Sequence, residues 1–255
     1  MIRGIAFDLF DTLVDQNHER LAPIEIAGGR RVGATTPSLH AVVAEKAGVS
    51  ISLPEFADLL RKVDEELRVD TLDLGIELST LDRFAALATR LGSGDVMLVA
   101  RAMTEAHMGI LQDAVTVPGH HEAILTTLAI DYSLALCSNF SHAKTARAVL
   151  RGAHFDSYLS CIVISEEIGI RKPRSEIFEA VATSLGLAPA EILHVGDKLH
   201  ADVAGAAAVG MRTCWLTRRV ADPEGELERS DGPPPDFALE DLSDLPLLVA
   251  RLNVS

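Results

Sequence analysis

The feature that most constrains this chain is a rhythm that begins near residue 117. Short apolar runs alternate with stretches whose apolar residues recur at helical spacing. Residues 133–137, 161–164, 192–195 and 212–216 read as strands, with helices over residues 142–150, 175–185 and 199–209 between them. Such alternation builds a parallel sheet, because parallel neighbours need a crossover, usually a helix, to bring the chain back. The strand runs are almost wholly apolar, as suits strands covered on both faces. Another apolar run, residues 2–7, stops abruptly at Asp8. A short strand near Phe237 and a helix over residues 245–252, with Pro246 in its first turn, complete the pattern. Residues 221–235, rich in charge, Gly and Pro, read as a loop.

From about residue 18 to residue 110 the pattern differs. Ser52-Leu53-Pro54-Glu55 reads as a helix start with a capping box, and Phe56, Leu59, Leu60, Val63 and Leu67 follow at helical spacing. Residues 81–91 and 96–110 also read as helices, and no strand is expected there. The expected architecture is therefore a doubly wound, Rossmann-like parallel α/β core. It comprises residues 1–16 and 111–255, with an all-helical insertion over residues 17–110.

Ligands of such sheets bind beyond the carboxyl ends of the strands. Four polar clusters fall there: Asp8-Leu9-Phe10-Asp11-Thr12, Ser138-Asn139, Lys172-Pro173, and Gly196-Asp197 with Asp202. Each alone is a weak signal, since a lone Asp after a strand is most often a turn or cap residue. All four in this order are specific. With them the chain resembles the haloacid dehalogenase-like hydrolase superfamily over nearly its whole length, and the insertion resembles that family's helical cap.

The residues carry their own chemical argument. Asp8, Asp197 and Asp202 would bring three carboxylates together, and their mutual repulsion calls for a divalent cation. Oxygen ligands beside a phosphate group suit Mg²⁺. The resemblance implies the individual roles. Asp8, Asp197 and the backbone carbonyl of Phe10 would bind the cation, and Asp202 would be a ligand or support one. Lys172 would neutralise charge at the nucleophile and the phosphate, and Thr12, Ser138 and Asn139 would contact the substrate. Asp8 would attack phosphorus, forming an aspartyl-phosphate that water hydrolyses. The cap would close over the core and exclude water. The function so implied is a Mg²⁺-dependent phosphatase for a small phosphorylated metabolite.

Phe10 departs from the family pattern. Phosphatases of the family carry an acidic residue two positions after the nucleophile, which protonates the leaving group, and Phe cannot do so. Asp11, one position later, reads as a turn residue whose side chain points elsewhere. Several readings stay open. The substrate could have a good leaving group, or the cap could supply the acid. The enzyme could be a haloacid dehalogenase, whose branch has Tyr at this place and releases halide without a proton. A phosphonatase-like reading, needing a cap lysine such as Lys46 or Lys62, is weaker. The chain could also be a binding or regulatory module with little turnover. The Asp197–Asp202 pair favours the phosphatase, since dehalogenases of the family act without metal.

The remaining features narrow the class. A net charge of −14 argues against nucleic-acid and anionic-membrane partners. Met1-Ile2-Arg3 leads straight into the first strand rather than into a leader, and no run is long enough to span a bilayer. Cys137, Cys161 and Cys214 match no metal or redox spacing and read as reduced thiols in strands, so a cytoplasmic location is expected. His120-His121 reads as the start of a helix, His194 as a core residue, and His200 as a surface residue near the pocket. Arg30 and Arg31, beside Gly28-Gly29, are candidates for an anionic substrate group against a reading as solvated surface. The sequence leaves the substrate and the oligomeric state open.

Overall fold

The computed structural model describes residues 1–254. Its packing divides into two units, Met1–Asp15 with Thr116 onward, and Gln16–Val115.

The first unit is built on a six-stranded sheet. Its strands are β1 (Gly4–Phe7), β2 (Ser133–Ser138), β3 (Leu159–Ile164), β4 (Ile192–Gly196), β5 (Arg212–Leu216) and β6 (Phe237–Leu239). They lie in the order β6-β5-β4-β1-β2-β3, and every neighbouring pair is parallel. Chain order therefore reverses at β1, with β2 and β3 laid down on one side and β4 to β6 on the other. This is the switch point at which such sheets open a crevice. Phe7 is in register with both Leu136 of β2 and Val195 of β4, so Asp8, Cys137-Ser138 and Gly196-Asp197 emerge at one level.

All residues of β1 and β4 are buried, which explains their largely apolar character, His194 excepted. On one face Ala6, Cys137 and Val163 pack against Ile177, Phe178 and Val181 of the helix Ser175–Leu185. Burying a side chain such as Phe178 contributes roughly 1.5–3 kcal/mol. After β4 the chain makes a widened turn over Leu199–Ala204, in which Val203 N–H reaches the Lys198 carbonyl at 3.3 Å, before a short α-helix, Gly205–Ala208. Widened turns of this kind often occur at functional sites. Here the turn carries Asp202. The loop expected over residues 221–235 contains a short helix, Pro223–Glu228, whose start is capped by the Asp222 side chain on Gly225 N–H. Asp followed by Pro at the first helical position is the local signal for it.

The second unit holds four longer helices, Thr36–Lys46, Leu53–Asp70, Thr80–Arg90 and Val96–Asp113. They enclose a core that includes Leu39, Phe56, Leu60, Phe84, Leu87 and Met103. The Ser52 capping box is present, with Glu55 accepting from Ser52 N–H at 3.1 Å. This unit is not all-helical as expected. Ile24–Ile26 and Arg30–Val32 pair antiparallel as a small hairpin, with Gly28 and Gly29 both at positive φ in the turn. That turn needs left-handed backbone, which glycine supplies without a steric clash. The strands are only three residues long and only Val32 among them is buried, so they lack the buried alternation that marks a strand in sequence. No helix among the described residues is long and apolar enough to cross a membrane.

Candidate active site

The register brings the sequence clusters together where the strands end. Asp8, Asp197 and Asp202 are all buried, and one oxygen from each lies within 4.8 Å of the others. Lys172 stands among them. Its ammonium donates to Asp8 Oδ1 at 2.7 Å, to Asp202 Oδ1 at 2.6 Å and to the Cys137 carbonyl at 2.7 Å. All three of its protons are thereby used, and the side chain is fixed. Gly196 makes room for this packing, because a Cβ there would overlap the Asp202 carboxylate.

The backbone of Lys172 is held as firmly as its head. Asn139 accepts from Lys172 N–H at 2.7 Å through Oδ1 and donates to the Lys172 carbonyl at 2.9 Å through Nδ2. Asn139 thus clamps the lysine between the ends of β2 and β3, a role its position beside Ser138 did not reveal. Three further residues act on the site in ways the sequence reading missed. His194, expected to be only a core residue, donates from Nε2 to Asp202 Oδ1 at 3.1 Å. Trp215 donates its indole N–H to the Asp197 carbonyl at 2.9 Å. Lys198, also not anticipated, lays its exposed ammonium 2.6 Å from Asp197 Oδ2.

Electrostatics separate the carboxylates. Burial pushes the Asp8 carboxyl up to about 6; Lys172 opposes the rise, while Asp202 and Asp197 add to it. Burial also works to raise Asp202, but Lys172 and His194 outweigh it and hold that carboxyl well below the usual range. Asp202 receives both partners and is the better compensated, whereas Asp8 shares one ammonium. Burial raises Asp197, and Lys198 opposes it. Burial would lower Lys172, but Asp202 and Asp8 reverse the effect and keep it protonated. Three carboxylates against Lys172 and the rim ammonium of Lys198 leave one negative charge over. The all-oxygen donor set suits a hard divalent cation. A cation that enters must displace any proton on Asp8. Because that proton is held up to a pH of about 6, affinity should rise by about tenfold per pH unit below 6 and level off above about 7. Calorimetric Mg²⁺ titrations across that range check this expectation.

Two hydroxyls of the same strand-end motifs are left over. Thr12 Oγ1 and Ser138 Oγ are buried and have no hydrogen-bond partner. Orphaned buried hydroxyls are uncommon and costly, and they point to a ligand that supplies their partners. Phe10 lies against Phe140, ring centroids 4.8 Å apart, so the place of the family's acid is lined by two aromatic rings. Asp11 is indeed a turn residue, at φ 58°, and its buried carboxylate is 3.8 Å from Arg219. His200 is exposed, as expected. Cys137 and Cys214 are buried, Cys161 partly so, and all three are free thiols. Arg30 and Arg31 line a cleft of about 530 Å³ within the helical unit, together with Arg61, Arg68 and Arg83. Arg30 pairs with Asp58, while Arg31 reaches the Pro23 carbonyl.

The chain can now be set beside known proteins. The profile of the haloacid dehalogenase-like hydrolases matches residues 2–210. A glyceraldehyde 3-phosphate phosphatase of Methanopyrus kandleri is 28% identical over 243 residues, 94% of each chain. A phosphoserine phosphatase of Thermus thermophilus is 36% identical over 115 residues, covering 44% of this chain and 43% of the relative. Among solved structures, a 2-haloacid dehalogenase from Pseudomonas syringae superposes with a TM-score of 0.69 at 22% identity, covering 99% of this chain and all of the other; that likeness speaks to the fold.

Proposed function

This chain belongs to the haloacid dehalogenase-like hydrolases, and from that premise we propose that it is a Mg²⁺-dependent phosphatase acting on a small phosphorylated metabolite through Asp8. The observation that carries the reading is the buried triad of Asp8, Asp197 and Asp202 with Lys172 bonded to two of them, and the orphaned buried hydroxyls of Thr12 and Ser138 in the same motifs add to it. A dehalogenation site has no need of three carboxylates. The full-length relative is named for phosphatase activity, which supports the same reading.

Asp8 Oδ1 is tied to Lys172, so Oδ2 is the attacking oxygen. It bonds to phosphorus as the P–O bond to the leaving group breaks, and the leaving group departs with the electron pair. Water then attacks the same phosphorus, Asp8 returns as a carboxylate, and both water protons leave on the phosphate. Lys172 balances charge that shifts between Asp8 and the phosphoryl oxygens. Thr12 and Ser138 donate to phosphoryl oxygens, and Asn139 acts by positioning Lys172. Asp8, Asp197, the Phe10 carbonyl and Asp202 would hold Mg²⁺ or support its ligands, and the ion when bound supplies charge neutralisation. The division into a core of residues 1–16 and 111–255 and a cap of residues 17–110 is part of the proposal, with the helical unit in the cap's role. A cytoplasmic setting is part of it as well.

Phe10 sets the leaving-group preference. With Phe10 and Phe140 where an acid would stand, leaving groups that depart as stable anions, such as aryl and acyl phosphates, should react fastest. Phe10→Asp should raise kcat/KM for alkyl phosphates by about 10²-fold and barely change that for p-nitrophenyl phosphate. An unchanged ratio between the two substrate types would show that leaving-group protonation comes from another residue. The same aromatic pair is what favours a second reading, hydrolysis of a carbon–halogen bond by Asp8. Phosphate release from p-nitrophenyl phosphate with and without Mg²⁺, beside halide release from 2-haloacids without metal, separates the two. Metal-dependent phosphate release supports the first; metal-independent halide release alone supports the second.

A further inference from the structure

A second cluster of metal-type ligands lies in the α/β unit, made of residues outside the four motifs. His120 and His121 stand at the start of the helix His121–Leu128, and Asp241 caps the turn before the last helix. One ligand atom from each lies within 4.8 Å of the other two. His120 Nε2 is 2.8 Å from Asp241 Oδ1, and the two imidazole rings meet edge-to-face at 4.7 Å.

Proximity alone would not make a site. The deciding observation is His121. It is fully buried, and its Nδ1 is 2.8 Å from the Leu13 carbonyl. A carbonyl oxygen only accepts, so Nδ1 carries the proton. Nε2 is then an unprotonated lone pair, and it has no hydrogen-bond partner. Burial also lowers the proton affinity of this imidazole, which keeps it neutral. A buried basic nitrogen without a partner, its other nitrogen donating to a backbone carbonyl, is how proteins hold a histidine that ligates a metal. Asp241 is similarly braced: Oδ1 accepts from Ser243 N–H at 2.9 Å, and Oδ2 lies 3.7 Å from Arg218, whose own charge is balanced by Asp15. His120 and Asp241 reach solvent, so an ion has a way in.

We propose that His120, His121 and Asp241 form a second metal site, taking a zinc-class ion with water completing a tetrahedral shell. Two imidazoles and one carboxylate suit Zn²⁺ and disfavour Mg²⁺, so the site differs in kind from the all-oxygen pocket of Asp8, Asp197 and Asp202. The ion would tie the start of the helix His121–Leu128 to the turn at Asp241. Through His121 it would also brace the Leu13 carbonyl, in the segment that follows the nucleophile. The proposal does not rest on the phosphatase reading.

The test is a calorimetric Zn²⁺ titration of the full chain kept in saturating Mg²⁺. Wild type should bind one equivalent of Zn²⁺ in the presence of Mg²⁺. His120→Ala and Asp241→Asn, both at solvent-reaching positions and expected to fold, should each weaken that binding by about 100-fold or more. Their Mg²⁺ binding and Mg²⁺-dependent activity should stay at wild-type level. His121→Gln should also abolish binding, but its burial makes it the less safe variant. The proposal is overturned if no Zn²⁺ binds over saturating Mg²⁺, if both exposed variants bind as wild type does, or if Asp197→Asn removes the Zn²⁺ signal while His120→Ala leaves it.

Discussion

Asp8→Asn should lower turnover of any substrate by about four orders of magnitude or more while leaving the fold intact. The substitution keeps the shape and keeps an oxygen that can accept from Lys172 Nζ, now 2.7 Å away. It removes the negative charge that makes the oxygen a nucleophile. The structure also says why folding should survive. Asp8 is a strained anion, its carboxyl pushed up to about 6 by burial, so a neutral side chain is easier to bury there than the charge it replaces. A near-native melting temperature with turnover lost is the expected pair of results, read by phosphate release and thermal denaturation. Wild-type turnover in this variant would rule out nucleophilic attack by Asp8. Loss of both activity and folding would mean that the Asp8 charge is structural.

Lys172→Ala should damage both properties together. It removes the partner of two buried carboxylates and a donor to the Cys137 carbonyl. Leaving a buried charge unpaired typically costs about 3–5 kcal/mol. In a domain of this size that lowers Tm by on the order of 10 °C. Turnover should fall by orders of magnitude as well, since charge at the reacting centre is no longer balanced. The loss has a definite pH signature. Without the ammonium, Asp8 and Asp202 lose the partner that lowers their pKa values, and both carboxylates become easier to protonate. The Asp8 share of the deficit should therefore fade as pH falls toward about 6, where wild-type Asp8 itself takes up a proton, and the Asp202 share should fade only at lower pH. Lys172→Arg should not rescue, because a planar guanidinium cannot reproduce three bonds of 2.6–2.7 Å converging on one nitrogen. A deficit that is flat with pH would mean that lost packing, not unpaired charge, dominates.

The core was legible because its signals are local. The helix Ser175–Leu185 and the strand Arg212–Leu216 have the bounds that apolar spacing alone suggests, and the Ser52 capping box lies within a single turn. Chain order and the sheet rule were enough to assemble Asp8, Ser138, Lys172 and Asp197 as candidates. What escaped is what depends on partners distant in sequence. Asn139 holds Lys172 across 33 positions, and Trp215 reaches back to Asp197. No periodicity marks such contacts. His194 looked like a core residue because it is one; its Nε2 meets Asp202 across the turn after β4, eight positions on. The hairpin of Ile24–Val32 escaped for another reason. Its strands are short with a single buried residue, Val32, and only Gly28-Gly29 signals a turn.

The central claim is that Asp8 becomes covalently phosphorylated, and the most direct test looks for that bond. Wild-type enzyme turning over acetyl phosphate with Mg²⁺ is quenched in acid, digested and weighed by mass spectrometry. The expected result is one added phosphoryl group on the peptide that contains Asp8, lost on treatment with hydroxylamine and absent from Asp8→Asn. Phosphate release without that adduct, or an adduct on a peptide lacking Asp8, would contradict the mechanism.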